Sequence, residues 1–344
     1  MKLGIHYSFQ STNGDWATAY EQGLEQIRTA EKYGFDCVTV AEHHFMNDGW
    51  IPSPMVACGA IASVTSTIRI GTNIVIVPLN NPVKIAEDLA VLDNLSRGRS
   101  ILGLGLGGFG DEFNQLNVPS KERKPRLEEG LAIIKELLEK PRVTYKGDYW
   151  QVIDGQLTPK PVQKPRPPLW IGALEEPAIV RAARYGDAWI PSQVLSLFVL
   201  KEKTEIYNNA LKACGKEPDG IERPLRREGY VAASADRAWE DIKDALLYEY
   251  GDVYYKSGNV RDEQGNRILP GERTYEEYIE ELRKIFIISD PDTFIAKLEE
   301  YEKSIGTSLV LFRFQVPGLP HEKIIQCIKL IGEKIIPYFR ENDR

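Results

Sequence analysis

Glu42, His43 and His44 stand in a row before Phe45, at the end of the apolar run 37–41. A histidine titrates near neutral pH, so one that faces a ligand from a strand end can accept or deliver a proton. Neighbouring strand residues point to opposite sides. One imidazole of the pair can therefore face a site while the other packs or hydrogen-bonds outside it. Taken on position alone, a pair of satisfied structural histidines accounts for the motif equally well. Metal binding is disfavoured, because the H-E-x-x-H spacing and a third ligand are both missing. Cys37, Cys58, Cys214 and Cys327 are scattered singly with no C-x-x-C pair, and read as reduced thiols, three of them in apolar settings.

The run Gly103-Leu104-Gly105-Leu106-Gly107-Gly108 satisfies G-x-G-x-x-G with Gly103, Gly105 and Gly108. A dinucleotide fold wants a helix opening at the last glycine, whereas Phe109-Gly110-Asp111 delays it, and three βα units precede the motif. The competing reading is that glycines at a strand end leave room for a planar ligand against the backbone. Residues 170–177 turn from a strand into a helix whose first N–H groups suit a phosphate, which makes Ala173, Leu174 and Glu175 candidates. Glu175 and Glu176 suit the helix dipole but repel a phosphate dianion, so a purely structural cap stands beside that reading. Asn73-Ile74 and Pro78 read by themselves only as strand and strand end. Arg123 and Arg126 read as a solvated helical face.

These residues need a scaffold. Short β-branched runs at 3–9, 37–41, 68–76, 100–106, 169–172, 188–191, 228–233 and 309–315 alternate with helix-period stretches at 20–33, 85–95, 127–138, 178–185, 197–213 and 324–336. Eight strands separated by helices predict an α/β fold, a closed (β/α)8 TIM barrel with insertions rather than an open doubly wound sheet. No linker divides residues 1–344, so one domain is the simpler count. Two segments exceed ordinary loops. Residues 142–168 carry a hairpin pattern, expected to cap one end of the barrel, and then a proline-rich stretch. Residues 250–274 are rich in Gly, Asp, Asn and Arg, as suits a lid that sets the substrate.

Acidic residues outnumber basic ones, 50 to 43, for a formal net charge of −7. With no long basic block, nucleic acid and anionic membranes are poor partners. The first residues lack a signal-peptide pattern, and no apolar run is long enough to span a bilayer. A cytoplasmic protein is expected.

Many ordered blocks resemble those of the bacterial luciferase-like flavin monooxygenases. They are Gly34-Phe35-Asp36, Ala41-Glu42-His43-His44-Phe45, residues 71–78 with Pro82-Val83, Glu87-Asp88 through Leu92-Asp93 to Ser96-Arg97-Gly98-Arg99, residues 168–172, and Ala182-Ala183-Arg184-Tyr185-Gly186. The resemblance covers nearly the whole chain. It implies a barrel whose mouth binds reduced FMN, supplied by a separate reductase, where O2 forms a flavin C4a-peroxide that oxygenates a small organic substrate. It implies His43 as the catalytic acid/base, Asn73-Ile74 as a non-proline cis peptide behind the flavin ring, Gly105 and Phe109 as flavin contacts, and Ser192 near the phosphate. Relatives carry a basic residue where this chain has Leu106, and hydroxyl residues where it has Leu174, Glu175 and Ala178. Arg126 or Lys124 can compensate for the lost charge. Reduced F420 uses the same kind of mouth and is the alternative cofactor, while the altered phosphate loop also fits a non-catalytic partner subunit. Apolar faces on 54–64 and 85–95 resemble those that form homodimers or paralogue heterodimers in the family.

Overall fold

The computed structural model describes residues 1–255, 260–269, 271–272 and 274–342. Its strands are β1 (Lys2–Tyr7), β2 (Cys37–Val40), β3 (Arg69–Thr72), β4 (Val75–Ile76), β5 (Ser100–Gly105), β6 (Val143–Lys146), β7 (Gln151–Gly155), β8 (Leu169–Gly172), β9 (Ala188–Ile190), β10 (Pro224–Val231), β11 (Val260–Arg261), β12 (Arg267–Ile268), β13 (Ile287–Ser289) and β14 (Leu309–Arg313). The helices that matter to the site are α1 (Trp16–Lys32), α2 (Pro54–Val64), α3 (Pro82–Leu95), α4 (Gly110–Gln115), α5 (Arg123–Glu139) and α6 (Glu176–Tyr185).

One parallel sheet runs in the order β13-β10-β14-β1-β2-β3-β5-β8-β9, with β4 beside β5. It curls as the expected barrel does, helices outside and strand C-termini at one mouth. Its inner face is filled by Cys37, Ile101, Trp170, Ala188, Ile190, Leu309 and Leu311, while a second, larger apolar layer lies between sheet and helices. Between β9 and β10 no backbone ladder forms among the described residues. Arg227 bridges that seam instead, donating from Nη1 to the Gln193 carbonyl at 3.0 Å and from Nη2 to the Leu195 carbonyl at 2.8 Å.

The sequence expectation for the seventh barrel strand, residues 228–233, is shifted: β10 starts at Pro224. Arg226 and Arg227 fall before the expected strand, but they and Glu228 are all buried. The upper half of β10 also pairs with β13, a strand too short to stand out in sequence.

The insertion hairpin β6–β7 forms, but along the outside of α5 rather than over an end of the barrel. Its tip is held by Glu129, whose carboxylate accepts from the backbone N–H groups of Asp148, Tyr149 and Trp150, and its base packs near Leu137. In the second insertion, β11 and β12 form a small antiparallel ribbon. Residues 256–259, 270 and 273 of that expected lid lie outside the described residues.

Two glycines of β5 explain the close approach at the mouth. A Cβ on Gly103 would stand 2.1 Å from the Thr72 carbonyl oxygen, and one on Gly105 2.2 Å from Ile74 Cδ1. The room these glycines leave is therefore taken by the β3–β4 segment and not directly by a ligand. Because the obstruction at Gly103 is backbone, Gly103→Ala is expected to destabilise by at least about 1–3 kcal/mol, as overpacked cores do. Urea unfolding checks this, and an unchanged midpoint would show that β3 can move aside.

Candidate active site

At the mouth lies a cavity of about 700 Å³. β2 ends at Val40, and the chain then carries Glu42 and His43 onto the cavity wall while turning His44 away. Glu42 is buried and ties this turn to its neighbours. Its Oε2 accepts from the Ile76 N–H at 2.7 Å, and its Oε1 accepts from Asn80 Nδ2 and bonds His44 Nε2, both at 2.9 Å.

The two histidines take different roles. His43 lines the cavity, with Nδ1 at 2.9 Å from Glu112 Oε1. Trp50 and Phe109 meet the ring edge-on, at centroid distances of 4.2 and 4.8 Å. Glu112, on the short helix α4, is buried and also accepts from the His44 N–H at 2.8 Å. A carboxylate on Nδ1 selects the tautomer that leaves Nε2 as the exchangeable nitrogen. Trp50 is backed in turn by Arg313, whose guanidinium lies 5.1 Å from the indole centroid. Arg313 is fixed by Glu249 at 2.6 Å, by Ser8 Oγ at 3.0 Å and by Gln10. The chain thus locks the imidazole from three sides.

His44 is the structural partner. Its hydrogen bond to Glu42 raises its pKa, against a smaller opposing effect of burial. The proton is held more tightly in the folded chain than in the unfolded one. The resulting stabilisation is therefore complete below about pH 6.5 and disappears as pH rises through the raised folded value. His44→Asn is expected to lower the thermal midpoint most at about pH 6 and progressively less towards about pH 9. A gap that stays constant across that range would contradict this role.

Asn73 and Ile74 are joined by a cis peptide bond, and both line the cavity. Ile74 packs over Gly105 and Gly172, so its side chain, not the glycine backbone, presents the flat apolar floor. Phe109, Ala173, Leu174, Glu175 and Ser192 also lie on the wall. Gly105 sits beneath Ile74. Arg126 does not line the cavity: its guanidinium pairs with Glu122 and stacks near Tyr149 and Trp150. Lys124, one position into α5, does line it.

Glu175 is not free to face an incoming phosphate. Its Oε1 accepts from Arg261 Nη2 at 2.8 Å, which ties the β11–β12 ribbon to the start of α6. Arg181, on α6, also lines this end and pairs with Glu128 of α5. Lys124, Arg181 and Arg261 thus line this end of the cavity.

Sequence reasoning missed Glu112, Trp50, Arg226, Tyr254 and Arg261. Arg226 and Glu228 did carry a signal: charges inside a strand of a parallel barrel are buried on either face, so they are paired or functional. Glu112 carried none, since only folding brings it back to a histidine 69 positions earlier. Among the described residues no group of three or more metal-ligating side chains occurs, and no helix is long and apolar enough to cross a membrane.

Comparison with known proteins follows this geometry. The oxygenase component of flavin-dependent trigonelline monooxygenase from Acinetobacter baylyi is 28% identical across 99% of this chain and 95% of its own. The F420-dependent glucose-6-phosphate dehydrogenase of Amycolatopsis mediterranei is 27% identical across 92% of this chain and 94% of its own. The crystal structure of monooxygenase RslO1 from Streptomyces bottropensis superposes with a TM-score of 0.86 at 22% identity, covering 98% of this chain and all of that one. The model of the luciferase-like monooxygenases matches residues 1–308, and the chain belongs to that family.

Proposed function

We propose that the chain is the oxygenase of a two-component system, which takes reduced FMN from a separate reductase and uses O2 to oxygenate a small organic substrate. One observation carries the reading: His43, oriented by Glu112, opens onto the same cavity as the apolar floor of Ile74 and the cationic end formed by Lys124, Arg181 and Arg261. The Acinetobacter relative, named as the oxygenase component of a flavin-dependent monooxygenase, supports both the cofactor class and the partner reductase.

The residues present fit the group. Asn73 Nδ2 is buried without a hydrogen-bond partner and lies on the wall, a donor suited to a carbonyl of a heteroaromatic ring. Ile74 offers that ring a face. The three cations, with the Ser192 hydroxyl, suit a phosphate, and Arg261 answers the charge of Glu175. Bound reduced flavin supplies the electrons that activate O2. His43 moves a proton at Nε2 while Glu112 keeps Nδ1 occupied. Trp50, Phe109 and Tyr254, whose rings stand 6.2 Å apart in two of the three pairings, wall the imidazole off from bulk water.

Anaerobic titration with reduced FMN and, separately, reduced F420 tests the reading. Saturable binding of FMN with none of F420 is the expected result. Binding of F420 alone would make the chain an F420-dependent oxidoreductase, and binding of neither would make it a non-catalytic partner subunit.

We further infer a homodimer. Val56 on α2 and Val91 and Leu95 on α3 are 75%, 46% and 62% exposed, a large apolar outlay for a soluble surface. Since α2 packs against α3, the three can share one isologous two-fold contact. Light scattering is expected to give twice 38.9 kDa, and a monomer mass at micromolar concentration would contradict it.

A further inference from the structure

Arg123 opens α5 and reads in sequence as part of a solvated helical face, yet it is half-buried and turned inward. Its Nη2 donates to the Gly107 carbonyl at 2.6 Å, and its guanidinium lies 4.1 Å from the ring centroid of Phe113. Phe113 is fully buried and belongs to α4, one residue after Glu112. The guanidinium therefore clamps two pieces of chain together: the turn that carries Phe109 and the short helix that carries Glu112. Phe109 and Glu112 are two of the side chains that fix His43.

Charge links the same residues. Glu112 Oε1 is taken up by His43 and by the His44 N–H, while its Oε2 is buried without a hydrogen-bond partner. Arg123 Nε is buried without one as well. Burial lowers the Arg123 pKa and the Glu112 carboxylate opposes that shift, so the two charges act on one another. His44 offers Glu112 its backbone N–H, its own imidazole being held by Glu42. Arg123 is thus a permanent cation beside Glu112. A buried carboxylate stays an anion where a cation answers it. Without one the neutral acid is the cheaper state, and its hydroxyl donates.

We propose that Arg123 is a positioning residue for His43, holding Glu112 as the anion that accepts from Nδ1 and tying the Phe109 turn to α4. The inference rests on the reading of His43 as the proton carrier and adds a second residue to the array that serves it. Arg123 does not line the cavity. It acts through Glu112: were that carboxyl to become a donor, the His43 proton would move to Nε2, and the nitrogen left for the reaction would no longer accept.

The test reads the imidazole directly, by proton–nitrogen NMR correlation of the full chain carrying isotope-labelled histidine, at about pH 8, where an ordinary imidazole is neutral. His43→Ala assigns its signals among the four histidines. The parent is expected to show Nδ1 protonated and Nε2 bare. Arg123→Gln, with Arg123→Met as a second neutral variant, is expected to move the proton to Nε2 in about half of the molecules or more, whereas Arg123→Lys keeps the parent pattern. Turnover is expected to fall about 10-fold in the neutral variants, the lower end for a charge-assisted contact, with FMN affinity and substrate KM within about 2-fold. The double variant with Glu112→Gln is expected to turn over like Glu112→Gln alone. A parent with its proton on Nε2, or an unchanged His43 pattern in a folded neutral variant, overturns the proposal. So does an equal shift in Arg123→Lys, and so does failure of both neutral variants to fold, which would make Arg123 a part of the scaffold only. A moved proton in a chain that shows no turnover with FMN leaves Arg123 in its role and removes the oxygenase reading instead.

Discussion

His43→Ala is expected to leave the fold and FMN affinity intact while lowering oxygenation at least ~100-fold, the lower end of general acid/base contributions. The expectation comes from geometry. The imidazole stands on the cavity wall, held by Glu112 at 2.9 Å and fixed edge-on by Trp50 and Phe109. Removing it deletes the proton carrier together with its contacts to Trp50 and Phe109, and the space it leaves joins the cavity that the side chain already lines. Steady-state turnover with the best substrate found, alongside FMN titration, separates the two effects. Turnover equal to the parent's would show that His43 is one more satisfied structural histidine.

Glu112→Gln is expected to cost about 10- to 100-fold in turnover with FMN binding unchanged. The substitution keeps the shape of the side chain and its acceptor oxygen. It removes the charge and adds an N–H₂ that can face His43 Nδ1. The imidazole then has no reason to hold its proton on Nδ1, and the wrong tautomer presents a donor where an acceptor is needed. Glu112 acts through His43 and is a positioning residue. Its effect should therefore vanish in the His43→Ala background, where the double variant turns over like His43→Ala alone. Independent, additive losses would mean that Glu112 has a separate task.

Much of this site was legible before folding because it sits on strand ends. Apolar runs 37–41 and 100–106 identified β2 and β5, and residues that follow such runs reach the mouth of a barrel wherever the helices pack. His43 comes from such a position, whereas Ile74, Phe109 and Ser192 are indicated only by the family resemblance, and all four line the cavity. What sequence could not supply was contact across the barrel. Glu112 meets His43, Arg261 meets Glu175 and Glu249 meets Arg313 at separations of 69, 86 and 64 residues. No local periodicity encodes those meetings. The β10 boundary failed for a related reason: Arg226 and Arg227 lie outside the expected strand, yet Arg226 pairs with Glu228 inside the barrel and Arg227 staples its seam. The hairpin was visible as a pattern but its resting place was not, since the carboxylate of Glu129 on α5 decides it.

The Arg261 to Glu175 pair also revises an electrostatic expectation. A lone Glu175 at the start of α6 would repel a phosphate, but in a pair it presents no net charge, and Arg261 can turn from carboxylate to phosphate when a ligand arrives.

A crystal structure of the protein soaked with FMN tests the central claim most directly. The ring system is expected against Ile74 and within reach of His43, with the phosphate among Lys124, Arg181, Arg261 and Ser192. FMN bound away from Ile74, or its phosphate held elsewhere while those cations keep their present partners, would contradict it.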